Sequence, residues 1–283
     1  MELSVKKLLI ILLLAVSPMM AFSLFDSAGG SDKAYLELVS SVKDIAISTQ
    51  KTRGLTNSFM NGNVAAQLLV YGQREQMMKD FKALKKRSKE ADLPEEYRKS
   101  TDVLMKKLKK LNKKAFKKNA SDVFASYTGV IEEWIALNTK IIDTHFKESD
   151  QEIYVAVSML NSTLLPLTEN IGKLRGMGSG IVARGTCKEV ETPKMQSFAT
   201  NIETYRNQMK SYMDKHSFKT LSKNNLEAVN AKIATYVTLT EGQVIGKEEI
   251  HLDANKFFDQ GTACIGGVLK VYNAVESDIA SKL

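Results

Sequence analysis

Apolar positions recur along this chain at alternating steps of three and four. Tyr35, Val39, Val42, Ala46 and Thr49 fall on one line, and so do Leu104, Leu108, Leu111 and Ala115. A longer line runs from Ile153 through Val157, Leu160, Leu164, Leu167, Ile171, Leu174 and Gly178 to Ile181. Another runs from Ile250 through Ala254, Phe257, Gly261, Cys264, Val268 and Val271 to Val275. Such spacing gathers each set on one face of an α-helix, and that face must be buried against other helices. Period-two alternation of β-branched residues is missing, so the pattern predicts an all-α protein.

The breaks between these lines are local and chemically specific. Asn61-Gly62-Asn63 ends the first helix, and Asp92-Leu93-Pro94 opens another with Pro in its first turn. Asn119 to Asp122 reads as a stop followed by a fresh N-cap, and Ser149 to Glu152 as a capping box with Ser149 the cap. Arg184-Gly185 closes the long fifth helix and Thr192-Pro193 opens the sixth. His216-Ser217 and Gly246-Lys247 are the remaining turns. Eight helices result, four before Asp150 and four after. Short connections make neighbours antiparallel, which gives two up-down four-helix bundles, residues 34–149 and 150–283. The bundles sit side by side or share one long helix from about Val123 to Arg184.

Composition changes the picture at the N-terminus. Lys6 and Lys7 precede an apolar run from Leu8 to Val16, and small residues follow at Ala21 and Ser23. This is the pattern of a secretory signal peptide, residues 1–23, cleaved after Ser23 and followed by a flexible segment, 24–33. The run falls short of the ~20 apolar residues of a spanning helix, although an uncleaved anchor is the alternative. The expected location is periplasmic or secreted. There a pair of thiols can oxidise, so Cys187 and Cys264 are either one disulfide or two buried free thiols. The formal net charge of +8 is concentrated. Residues 79–118 hold sixteen Lys and Arg against six Asp and Glu. That stretch is either a solvated face or a patch for an acidic partner or anionic headgroups. An exported chain rarely meets nucleic acid, so no nucleic-acid partner is expected.

The two halves share one unusual feature. The first helix carries Thr52-Arg53-Gly54-Leu55-Thr56-Asn57, and the fifth carries Leu174-Arg175-Gly176-Met177-Gly178-Ser179, with the two Arg 122 positions apart. This suggests an internal duplication. Gly within a helix costs about 1 kcal/mol relative to Ala, so two matching occurrences need a reason: close helix packing, or room for a small ligand beside the Arg. Both Arg lie on or beside an apolar seam, where a charge must be met. A guanidinium is planar and forked, which suits a planar oxyanion such as nitrate, nitrite or a carboxylate. Arg53 and Arg175 could clamp one, with Thr56, Asn57 and Ser179 adding neutral hydrogen bonds. Alternatively each Arg snorkels to water or meets an acid from another helix.

Gln50-Lys51-Thr52-Arg53-Gly54 is similar to the Gln-x-Glu-Arg-Gly signature of the nitrate- and nitrite-sensing domain family. Gly172 to Gly180 resembles its second-half counterpart, and Phe257 to Ile265 with Val271 to Glu276 resembles the family's last helix. The resemblance implies two four-helix bundles holding a small anion through Arg residues, with Arg53 and Arg175 at the matching positions. Thr52 replaces the family's Glu. For a further family Arg, Arg184 and Arg206 are the candidates. Such domains usually belong to receptors, kinases or antiterminators, and no output domain is legible in this sequence. A sensor of this kind hands its signal to a separate envelope or receptor protein; a homodimer is also possible.

No catalytic constellation stands out, and no cofactor is implied. His145, His216 and His251 are far apart, and none lies in a metal-ligand spacing. Cys187 has no His nearby to activate it. Gly176-x-Gly178-x-Gly180 lacks the Lys-Ser/Thr end of a phosphate loop. Trp134 reads as core. Two functions therefore compete: an exported small-anion binding or sensing module, and a ligand-free helical protein that docks through its basic 79–118 helices.

Overall fold

The computed structural model describes residues 31–216 and 220–283, and every regular element among them is helical apart from one isolated bridge at Leu221. The expected leader, and all but the last three residues of segment 24–33, lie outside the described residues. The helices are α1 (Asp32–Met60), α2 (Ala66–Glu90), α3 (Glu95–Lys114), α4 (Ala120–Phe146), α5 (Gln151–Met159), α6 (Leu165–Arg184), α7 (Thr192–Lys215), α8 (Lys223–Gln243) and α9 (Ala254–Lys282). A five-residue π turn, Leu160–Leu164, joins α5 to α6 without interruption, so these two form one rod. The rods number eight among the described residues, four on each side of Asp150.

Side-chain caps set most of the starts. Ser31, Asn119, Ser222 and Asp253 each accept a hydrogen bond from a backbone N–H of the first turn of α1, α4, α8 and α9. Such a cap satisfies a donor that the helix itself leaves open, and contributes about 1 kcal/mol. Helix α1 already begins at Asp32, inside the stretch expected to be flexible. Gly62 and Gly185 adopt left-handed backbone angles, φ 112° and 82°, and turn the chain away after α1 and α6. Helix α9 starts at Ala254 rather than Ile250. Ile250 lies in the extended approach to it, its N–H donating to the Gly185 carbonyl at 2.9 Å.

No helix runs from Val123 to Arg184. The chain reverses at Lys147–Asp150, and Asp150, not Ser149, caps α5 by accepting from the Glu152 N–H at 2.8 Å. The result is a hairpin in which α4 runs antiparallel to α5–α6: Tyr154 donates to Asp143, Asn138 to Asn161, and Lys173 to Glu132. Asn161 sits in the π turn and also donates to Thr139 at 2.7 Å. The turn has a local cause. Pro166 has no N–H for the carbonyl four residues back, and the Leu165 N–H reaches Leu160 O instead, one residue further than in an α-helix.

Helix α1 packs on α2, α4 and α6, and α6 packs on α7, α9 and α1. Helices α3 and α8 close the two sets against α4 and α9. Seam residues such as Val39, Val42, Leu108, Val157, Leu174, Val268 and Val275 are fully buried, with Trp134 among them.

Candidate functional site

Helices α1 and α6 run parallel. Gln50 donates to Thr168, Asn57 Nδ2 donates to the Gly176 carbonyl at 2.9 Å, and Arg184 reaches Asn61 at 2.9 Å. In the middle of this contact Gly54 faces Gly176: a Cβ on Gly176 would lie 3.1 Å from the Gly54 Cα. The glycines of both Arg-Gly steps are thus spent on backbone approach, the first of the two reasons offered for them.

Each Arg is held in the same way by the last helix of its own half. Arg53 is fully buried, donates from NH1 to Thr128 Oγ1 at 2.8 Å and lies over the Phe124 ring at 4.8 Å. Arg175 is 2 % exposed, donates from NH1 to Thr262 Oγ1 at 2.8 Å and lies over the Phe258 ring at 4.5 Å. In both helices the Thr follows the Phe by four residues and also donates to that Phe's carbonyl, at 2.9 Å in each case. The aromatic faces favour the cations, and the hydroxyls take up one donor each.

The likeness ends at the charge. Glu169 of α6, 3 % exposed at its side chain, forms a forked pair with Arg53, its oxygens 2.6 Å from NH1 and 3.2 Å from NH2. Lys173 stands 3.8 Å from the same carboxylate and donates to Glu132. Among the described residues Arg175 has no carboxylate partner. The position in α1 that corresponds to Glu169 is Ile47. Burial pushes the Arg175 guanidinium down to about 10, with the Arg53 charge adding to the effect and Tyr236 and Glu169 opposing it. Keeping it charged near neutral pH costs on the order of 3 kcal/mol.

Further polar atoms in this core have no hydrogen-bond partner among the described residues: Nε of both Arg, Gln50 Oε1 and the Tyr236 hydroxyl. Tyr236 of α8 is 2 % exposed. Its oxygen and the Cβ and Cγ of Arg175 would all lie 2.8 Å from a Cβ at Gly261, so that glycine lets the hydroxyl and the Arg stem converge. Burial raises the Tyr236 phenol well above its ordinary value, which keeps it a neutral donor.

The remaining residues singled out in the sequence are dispersed. Thr56 and Asn57 are buried on α1, and Ser179 donates to the Arg175 carbonyl at 2.7 Å. Arg184 is not part of the cluster. It sits at the end of α6, bound to Asn61, the Thr186 carbonyl and Glu191. Arg206 pairs with Glu203 on α7, three residues before it. Cys187 and Cys264 are buried free thiols rather than a disulfide. Cys187 lies in the loop that donates to the Lys247 carbonyl, whereas Cys264 is in mid-α9 against Lys232 of α8. Sequence reasoning missed Glu169 as the partner of Arg53, and it missed Tyr236. The Phe-x-x-x-Thr spacing shared by Phe124–Thr128 and Phe258–Thr262 was a usable signal.

The family model described as nitrate and nitrite sensing matches residues 44–282. No curated protein matches. Among solved structures, the NasR transcription antiterminator superposes with a TM-score of 0.68 at 12 % identity, over 88 % of this chain and 68 % of that one, a likeness of fold. The two buried Arg-Gly steps lie inside the matched region, and the chain belongs to the nitrate and nitrite sensing family.

Proposed function

We propose that the chain binds a small planar monoanion, nitrate or nitrite in the first place, in the core between α1, α6, α8 and α9. Arg175 supplies the charge. Tyr236 and the free Nε–H of Arg175 supply directed hydrogen bonds, and Thr262 with Phe258 fixes the guanidinium plane. Arg53 is already neutralised by Glu169 and contributes position more than charge. One observation carries the reading: Arg175 is buried as deeply as Arg53 yet has no carboxylate. An uncompensated buried cation destabilises a fold, and an anion that enters with the right shape recovers that cost as binding free energy. Membership of a sensing family supports sensing as the role. We further propose that the protein works outside the cytoplasm after loss of residues 1–23 and passes its state to a separate protein.

Calorimetry with nitrate, nitrite, formate and chloride tests the site on the wild type and on Arg175→Met, which keeps the apolar stem. The expected result is heat with the planar anions only, abolished in the variant while its helix content is unchanged. Absence of heat with every anion, or heat retained in Arg175→Met, overturns the assignment. Sequencing the N-terminus of the exported protein tests the leader, with Leu24 as the expected first residue.

A further inference from the structure

The end of the molecule where α1 turns into α2 and α3 turns into α4 carries two features that the anion site does not use. Val64, Leu68, Leu69 and Tyr71 are 72, 80, 58 and 48 % exposed, so apolar side chains stand in water on the turn and the first turns of α2, where Leu68 and Leu69 also edge a groove against α9. Beside them lies the uncompensated part of the basic stretch. Toward the other end of these helices three lysines are paired within the chain, Lys85 with Asp102, Lys86 with Glu90 and Lys99 with Glu95, while Lys82 and Lys89 are exposed without an ion pair among the described residues. Toward the turn, Lys106, Lys110, Lys113, Lys114, Lys117 and Lys118 are exposed, and none forms an ion pair among the described residues. Phe116 connects the two features: it meets Tyr71 edge-on at 6.2 Å and packs on Phe59 at 5.0 Å. Arg74 lies over its ring at 4.7 Å.

We infer that this end docks on the surface of an anionic lipid bilayer. Charge complementarity and the form of the patch both favour that occupant. Its cations are Lys ammoniums, point charges on flexible stems, strung along more than three turns of helix. That suits a fluid sheet of headgroups, whereas forked recognition of fixed carboxylates calls for Arg. The apolar side chains project at the tip, where they can enter the headgroup–acyl boundary, and Tyr71 is of the amphipathic kind that settles there. Lys110, Lys114 and Lys118 also line a groove of ≈ 380 Å³ with Ser126, Gly129 and Val130, a volume that exceeds that of a headgroup phosphate. Two acids border the tip: Glu75 on α2 is exposed, and Asp259 of α9 lines a groove with Leu68 and Leu69.

Cosedimentation of the full chain with vesicles of phosphatidylcholine alone, or of an equal mixture with phosphatidylglycerol, tests this. Two variants accompany the wild type: Leu68→Ser with Leu69→Ser, and the fourfold exchange of Lys113, Lys114, Lys117 and Lys118 to Gln. All six side chains are exposed, so both variants keep the wild-type helix content and melting point. The wild type should pellet with the mixed vesicles and be released by salt. Each variant should bind at least about tenfold more weakly. Any binding by the apolar N-terminal stretch is common to all three proteins. The inference is overturned if the wild type ignores mixed vesicles, or if either variant binds them as well as the wild type. An acidic protein partner would give the first result, and a purely electrostatic patch would leave the Leu variant unimpaired.

Discussion

Gly54 and Gly176 stand opposite each other where α1 crosses α6, and each also faces a ring from the other half of the chain. A Cβ on Gly54 would lie 2.9 Å from Phe258, and one on Gly176 would lie 3.1 Å from Phe124. Those are the rings on which Arg175 and Arg53 rest. The crossing therefore sets the distance between the helices and, through the rings, the position of both guanidiniums.

Replacing Gly54 by Ala should destabilise the protein by about 1–3 kcal/mol through overpacking, against a helix-propensity gain of about 1 kcal/mol. Gly266 lies in α9 with open space around it, so Gly266→Ala should be neutral or stabilising by up to about 1 kcal/mol. Urea unfolding of the two variants, read by circular dichroism, gives the opposite signs directly.

The two buried Arg should respond differently to the same substitution. Arg53→Met leaves the Glu169 carboxylate buried with Lys173 3.8 Å away as its nearest cation, and should cost about 3–5 kcal/mol. Arg175→Met removes a cation that no carboxylate answers and should be neutral or stabilising without ligand. Equal losses in both variants would contradict the asymmetry. Adding Glu169→Gln to Arg53→Met should recover most of the loss.

Acid should weaken the start of α1. His145 stacks on Tyr35 at 3.5 Å and shares a 2.8 Å hydrogen bond with Asp32. Burial lowers its pKa below the ordinary 6.5, with Asp32 opposing. The unfolded chain therefore takes up the proton first, and the contribution of His145 is present above about 6.5 and lost as pH falls through the lower folded value. His145→Phe keeps the stack and should show a shallower fall of stability from pH 7 to 5. Chemical denaturation at several pH values tests it.

Both thiols should resist modification. Burial pushes the Cys264 thiol up to about 12, and Cys187 is 8 % exposed. Ellman's reagent should count two thiols only after denaturation, and the melting temperature should not depend on reductant. Loss of both thiols under mild oxidation of the folded protein would indicate a bond that this geometry does not contain.

Much of the fold was legible because burial in a helical protein follows period. The seams through Val157, Leu174 and Val268 could be read one by one, and the capping residues Asn119 and the Arg184-Gly185 stop acted where their chemistry placed them. The burial of Arg53 and Arg175 was legible for the same reason. What answers each charge was not. Glu169 is 116 positions from Arg53 and meets it only because α1 and α6 run parallel, a relation no local spacing encodes. Tyr236 is hidden differently, since an aromatic residue in an apolar seam looks like core until a buried cation is found beside it. The break at Ser149 to Glu152 was legible, but the choice between a reversal there and one long shared helix was not, because a helix-capping residue marks a start without saying how far the chain turns before it.

The glycine crossing also has a mechanical side. Gly54 lies well toward the end of α1, with about 33 Å of helix before it and about 9 Å after. Contact at the crossing itself is backbone on backbone, and the bridging side chains, Gln50 to Thr168, Arg53 to Glu169 and Asn57 to Gly176, all lie close to it, within a few residues of Gly54. A rocking of α1 against α6 by about 5° would shift the beginning of α1 by about 3 Å while the Arg cluster hardly moved. Small adjustments around Arg175 would thus appear as displacement at the opposite end of the rod, where Asp32 and His145 hold the helix to α4.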